Sequence, residues 1–180
     1  MGEIRKTANE KLVIGILTSD TALYKGLKER FTGLWGPVDY ESGPVEFSFT
    51  SYYDNEMGTP ITRYFLSFKN LIPSDSLANV KTMTNAFEAD YSVFGKRKVN
   101  LDPGTLNQSR FVLASTKDSS HRVSLPGGIF AEITLMFEHG TFRPLEWTYA
   151  DYRSQGYLHI LNKIRELYRL QVKAGEHLQA

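Results

Sequence analysis

The segment KLVIGILTS, residues 11–19, constrains the fold more than any other stretch of the chain. From Leu12 to Leu17 it is nearly continuous and apolar, without the alternation of a half-exposed strand. A strand of that kind is covered on both faces, so it predicts the middle of a sheet with a packed layer on each side. The run is far too short to span a bilayer as a helix, which takes about 20 apolar residues.

The periodicity on either side of this strand sets the rest of the order. Ser19 or Asp20 is a candidate N-cap for a helix with Leu23, Leu27, Phe31 and Leu34 on one face. Alternation at Val45, Phe47 and Phe49 predicts a second strand, and TRYFLSF at 62–68 a third. Pro73 and Ser74 open a second helix carrying Leu77, Val80, Phe87, Tyr91 and Phe94. KRKVNL at 96–101 reads as a fourth strand that stops at the turn signal Asp102-Pro103-Gly104. This is the order β-α-β-β-α-β, a ferredoxin-like core in an α+β fold. Two hairpins extend it as an antiparallel β-meander. With Asp118-Ser119-Ser120 and Pro126-Gly127-Gly128 as three-residue loops, Lys117 faces His121, Leu125 faces Ile129 and Arg122 faces Glu132. Phe111, Leu113, Val123, Leu125, Ile129, Ile133, Leu135 and Phe137 then share the core side, with Arg122 and Glu132 on the outer side. A C-terminal helix from about Ser154 to Val172 buries Tyr157, Ile160, Leu161, Ile164, Leu167 and Tyr168, and Gly175 is its natural stop. One domain over 1–180 is expected, with 1–10 as a mobile tail and 174–180 as a frayed end.

Composition narrows the chemistry. Cysteine is absent, which removes disulfides, thiolate ligands and thiol nucleophiles, and fits a reducing, cytoplasmic setting. Lys plus Arg number 21 against 20 Asp plus Glu, so no general attraction to nucleic acid or to an anionic membrane is expected. The opening MGEIRKTANEK has no apolar stretch like that of a signal peptide.

Five segments carry a resemblance: YYDNEMG at 52–58, VNLDPG at 99–104, VLASTKDSSHRV at 112–123, GIFAEITL at 128–135 and WTYADYRS at 147–154. Together they resemble an uncharacterised bacterial family known as domain of unknown function 4416. One departure is Ala150, where the family pattern has proline. The resemblance implies no activity. A GTP-binding label attached to some members fails on the residues here. Gly95-Lys96 lacks the rest of a phosphate loop, and Lys117 and Asp118 are adjacent where a guanine-reading motif needs a spacer.

Candidate chemistry gathers at predicted strand ends and turns, where sites are usually built. Asp54, Glu56 and Asp102 are candidate ligands for Mg²⁺ or Mn²⁺, since hard cations take carboxylate oxygens. The four histidines have no metalloprotease spacing. Lys117, Arg122, Glu132 and Arg153 form a candidate binding set for a phosphate or carboxylate. Asp102, Asp118 and His121 are the candidate acid–base groups. Each also has a plain structural reading: Asp102 and Asp118 as turn formers, and Arg122 with Glu132 as an exposed cross-strand pair. Two functions compete. The first is a small-molecule-binding domain or enzyme for an anionic ligand. The second is a protein-interaction domain using exposed aromatics at Tyr52, Tyr53, Trp147 and Tyr149, which predicts a flat patch and no cavity. GKRK at 95–98 is the one basic run that could touch nucleic acid, and it reads as a solvated turn end.

Overall fold

A computed structural model describes residues 7–177, with side chains through 174. In chain order the elements are β1 (Asn9–Thr18), α1 (Thr21–Trp35), β2 (Val38–Glu41), β3 (Val45–Glu46), α2 (Asp54–Met57), β4 (Thr62–Pro73), α3 (Leu77–Asp90), β5 (Val99–Leu106), β6 (Arg110–Ser115), β7 (Val123–Leu125), β8 (Ile129–Glu138), β9 (Thr141–Pro144) and α4 (Gln155–His177). The strands form one antiparallel sheet in the order β2-β4-β1-β5-β6-β8-β7, with β3 on β4 and β9 on β8. The fold is α+β.

The apolar run at 12–17 is central, as its pattern requires. β1 pairs with β4 on one side and β5 on the other. Leu12, Ile14 and Ile16 pack under Tyr24, Leu27, Phe31 and Trp35 of α1 and Val80 and Phe87 of α3. Val13 points the other way, into a second layer where Phe65, Phe111 and Leu135 meet Tyr157, Leu161, Ile164 and Tyr168 of α4. Asp20 caps α1, accepting from the amides of Ala22 and Leu23. No helix among the described residues is long and apolar enough to cross a membrane.

Several boundaries differ from expectation. Asn9 and Glu10, expected in a mobile tail, belong to β1, and buried Glu10 accepts from Asn107 and Arg110; residues 1–6 lie outside the described residues. The second strand is mostly Val38–Glu41, which pairs with β4, while only Val45–Glu46 of the expected strand pairs there. Leu34 is exposed, and Trp35 takes the buried place at the end of α1. Phe94 leaves the helix altogether. With Gly95 it forms a tight turn at positive φ, closed by the Val93–Lys96 bridge, and its ring is exposed. α4 continues through Gly175 to His177, because glycine permits a helix end without enforcing one. Residues 178–180 lie outside the described residues.

Asp102-Pro103-Gly104 is not a turn. β5 runs straight through it to Leu106, with Asp102 opposite Gly15 and Pro103 opposite Ile14 of β1. Gly104 is needed because β6 lies close: a Cβ there would stand 2.6 Å from the Val112 carbonyl oxygen and 2.7 Å from the Phe111 ring. Gly104→Ala is therefore expected to lower unfolding free energy by about 1–3 kcal/mol through overpacking. Urea denaturation measures this, and an unchanged midpoint would remove the close-packing account.

The meander also differs. β8 lies between β6 and β7, so residues 116–122 cross over instead of forming a hairpin, and Lys117 does not face His121. The second hairpin has the expected register, Leu125 opposite Ile129. Against β6, β8 carries one extra residue, Thr134, between the pairs Val112–Ile133 and Phe111–Leu135. Such a bulge reverses the facing of everything before it. Ile133 and Val123 therefore lie exposed, while Glu132 and Thr134 turn inward and are buried.

Candidate functional site

β5 and β6 pair only from Gly104–Leu113 to Leu106–Phe111, and beyond that point they diverge. Two features of β5 account for this. Pro103 has no N–H to give a neighbouring strand. Two positions before it, the backbone of Leu101 is taken by side chains of α3: its N–H donates to Glu88 Oε1 at 2.7 Å and its carbonyl accepts from Lys81 Nζ at 2.7 Å. The gap between the strands is a cavity of about 460 Å³. That is within the range of roughly 300–1,000 Å³ seen for small-molecule sites.

At one end of the cavity sits Arg63, 2% exposed at the start of β4. Its Nη1 donates to Asp102 Oδ2 at 2.7 Å, its Nη2 to Asp151 Oδ2 at 3.1 Å and its Nε to the Tyr157 hydroxyl at 3.3 Å. The rings of Phe47, Phe65, Tyr152 and Tyr157 surround the guanidinium at 5.6–5.9 Å. Gly15 makes the room, since a Cβ there would stand 2.8 Å from Nη1. Asn100 Nδ2 donates to Asp102 Oδ1 at 2.9 Å. Burial pushes the Asp102 carboxyl up, but Arg63, Lys81 and these hydrogen bonds together hold it below the ordinary aspartate value. For Asp151 burial outweighs Arg63, and its pKa lies above the ordinary value. Asp102 keeps a 26% exposed side chain and lines the cavity. The Tyr152 hydroxyl is buried without a hydrogen-bond partner among the described residues.

Arg97 closes another wall. It binds Glu56 at 2.9 Å, Asn100 at 3.2 Å and Glu88 at 3.4 Å. Burial raises the Glu88 pKa more than Lys81 and the Leu101 amide lower it. Arg97 is thus committed to carboxylates, and GKRK does not present a run of unpaired cations for nucleic acid.

On the opposite side the expected meeting of Arg122 and Glu132 occurs, but buried. Glu132 is 2% exposed and accepts from Arg122 Nε and Nη2, each at 2.9 Å. Arg122 also donates to Ser115 Oγ at 3.1 Å, the Lys117 carbonyl at 2.7 Å and the Tyr149 hydroxyl at 2.7 Å. His121 lies 3.1 Å from Glu132, stacks on Trp147 with centroids 5.3 Å apart, and is not among the lining residues.

The expected residues therefore converge only in part. Asp102, Lys117, Arg122 and Glu132 line the cavity. Asp118 is exposed in the 116–122 connection. Arg153 donates to the carbonyls of Thr148, Glu146 and Leu145 at 2.7, 2.7 and 2.9 Å, which fixes a turn away from the cavity lining. Of the candidate ligands Asp54, Glu56 and Asp102, Glu56 faces Arg97 and Asp102 faces Arg63, and no group of three or more His, Asp or Glu side chains suited to a metal ion exists among the described residues. Arg63, Glu88, Asn100 and Asp151 also line the cavity without having been singled out from the sequence, and Arg97 was read only as part of the basic run GKRK. Arg63 carried a visible signal, a charge inside the apolar run TRYFLSF.

The family model described as "Domain of unknown function (DUF4416)" matches residues 8–168. The chain belongs to that family. The match takes in every residue of the cavity and every strand of the sheet. No curated protein and no solved structure matches the chain.

Proposed function

We propose that this family member binds a small phosphate- or carboxylate-bearing molecule in the cavity between β5 and β6, as a ligand-binding domain or an enzyme. One observation carries the reading. Of the five cationic side chains lining the cavity, Arg63, Lys81, Arg97 and Arg122 each face a carboxylate, whereas Lys117 makes no ion pair among the described residues. Its ammonium rests over the Tyr52 ring, 5.4 Å from the centroid, an exposed contact worth about 0.5–1 kcal/mol and easily exchanged for an anion. Mg²⁺ or Mn²⁺ would enter with the ligand, since the carboxylates nearby are already occupied by arginines.

The rival, a protein-interaction domain, expects a flat aromatic patch without a cavity. Tyr52 and Tyr149 line a cavity instead, which favours the small molecule. For the first half of the chain we propose the ferredoxin-like arrangement, supported by the strand order β2-β4-β1-β5 with α1 and α3 packed into one layer. A cytoplasmic setting is supported by the cysteine-free composition.

A thermal-shift screen tests the reading. Inorganic phosphate, ribose 5-phosphate and citrate are each added with and without Mg²⁺ or Mn²⁺. A ligand at about 100 times its Kd adds about 2.7 kcal/mol, a clear rise in Tm. At least one compound is expected to give that rise, and Lys117→Ala to abolish it. A flat screen, or a rise unaffected by Lys117→Ala, would dismiss this assignment.

A further inference from the structure

Resting on that reading, we infer that the ligand is a planar, ring-bearing anion, its charged group held by Lys117 and its ring by the aromatic rim of the cavity. The observation is independent of charge. Five aromatic side chains are exposed among the described residues: Phe49, Tyr52, Phe94, Trp147 and Tyr149. Three of them, Phe49 (42% exposed), Tyr52 (60%) and Tyr149 (50%), line this one cavity.

Their exposure is not loose packing. Tyr52 meets Tyr53 edge to face at 4.9 Å, Phe49 meets Phe47 at 5.8 Å and Tyr157 at 6.0 Å, and Tyr149 is held by the Arg122 hydrogen bond. The rings are fixed by neighbours behind them and still present surface in front. Fixed aromatic faces around a concave space recognise another π system through stacking, and do so at low entropic cost because the rings are already ordered. Lys117 adds geometry. An ammonium 5.4 Å from the Tyr52 centroid puts the cation within one small molecule's reach of a ring surface. A ligand whose anion takes Lys117 then carries its body onto the rim. A sugar phosphate would meet the same lysine but would leave the aromatic faces against a polar, hydroxylated surface.

Isothermal titration of the full chain with phenyl phosphate and with cyclohexyl phosphate separates these cases, because the two share charge and size and differ in planarity. Phenyl phosphate is expected to bind on the order of tenfold more tightly, as stacking contributes at about this level per ring. Tyr52→Leu, at a site 60% exposed and tolerant of change, should bring that ratio close to one. Lys117→Ala should weaken both compounds alike. Equal affinity for the two compounds would overturn the inference while leaving the anion reading intact, as would a ratio that survives in both Tyr52→Leu and Phe49→Leu. No binding of either compound, together with none of inorganic phosphate, would overturn both.

Discussion

Replacing Arg63 with alanine is expected to lower unfolding free energy by about 3–5 kcal/mol, the usual cost of removing one partner from a buried ion pair. The reason is what stays behind. Asp102 and Asp151 both face Arg63, at 2.7 and 3.1 Å, and neither has another cation in direct contact among the described residues. The truncation also opens a void among four aromatic rings. Two further measurements separate charge from volume. The triple variant Arg63→Met, Asp102→Asn, Asp151→Asn keeps the bulk and removes every charge, and should recover most of the loss. Acid should recover some of it too. In the native protein Asp102 has a depressed pKa, so its contribution is present above the ordinary aspartate value of about 3.9 and is lost as pH falls through its lower folded value. Asp151 has a raised pKa and works in the opposite sense, costing stability above its folded value. Without Arg63 burial alone acts, and both carboxyls rise. The deficit of Arg63→Ala should therefore shrink as pH is lowered from about 7 towards 4. A deficit that stays constant with pH, and is not recovered by the triple variant, would mean that packing alone holds this region.

The sheet was legible where one rule governed a segment. Leu12–Leu17 read as a central strand because burial on both faces leaves a single pattern, and it pairs on both sides. Residues 102–104 misled because Asp, Pro and Gly favour turns locally, whereas here each serves β5: Asp102 answers Arg63, Pro103 ends the hydrogen bonding towards β6, and Gly104 admits Phe111. Strand order was hidden for a different reason. A connection of seven residues, 116–122, can close a hairpin or cross to the far side of β8, and only long-range packing decides between them. The site depended on the same hidden steps. Lys117, Arg122, Glu132 and Asp102 were visible as charged residues near strand ends, yet that they share one cavity follows from the divergence of β5 and β6. One inserted residue, Thr134, placed Glu132 inside when simple alternation put it outside.

That inversion makes Glu132 the second position of large expected effect. Had the pair with Arg122 been exposed, Glu132→Ala would cost no more than about 1 kcal/mol. Buried as it is, with the two side chains 5% and 2% exposed, the loss should be about 3 kcal/mol or more. Arg122 would keep Ser115, the Lys117 carbonyl and Tyr149 but lose its only carboxylate among the described residues. A double-mutant cycle with Arg122→Met decides whether the two act as a unit. If they do, the double variant is less damaged than the sum of the single ones by 0.5–3 kcal/mol, because removing both charges leaves neither stranded. Additive losses would show that each residue stabilises the fold through its other neighbours. The same cycle reaches the ligand. Arg122 holds the Lys117 carbonyl and the Tyr149 hydroxyl at once, so it sets both the cation and one aromatic face of the cavity. Glu132→Gln keeps hydrogen-bonding oxygen for Arg122 but not the charge. It should therefore preserve anion affinity far better than Glu132→Ala, even where both variants unfold at lower urea than the native chain.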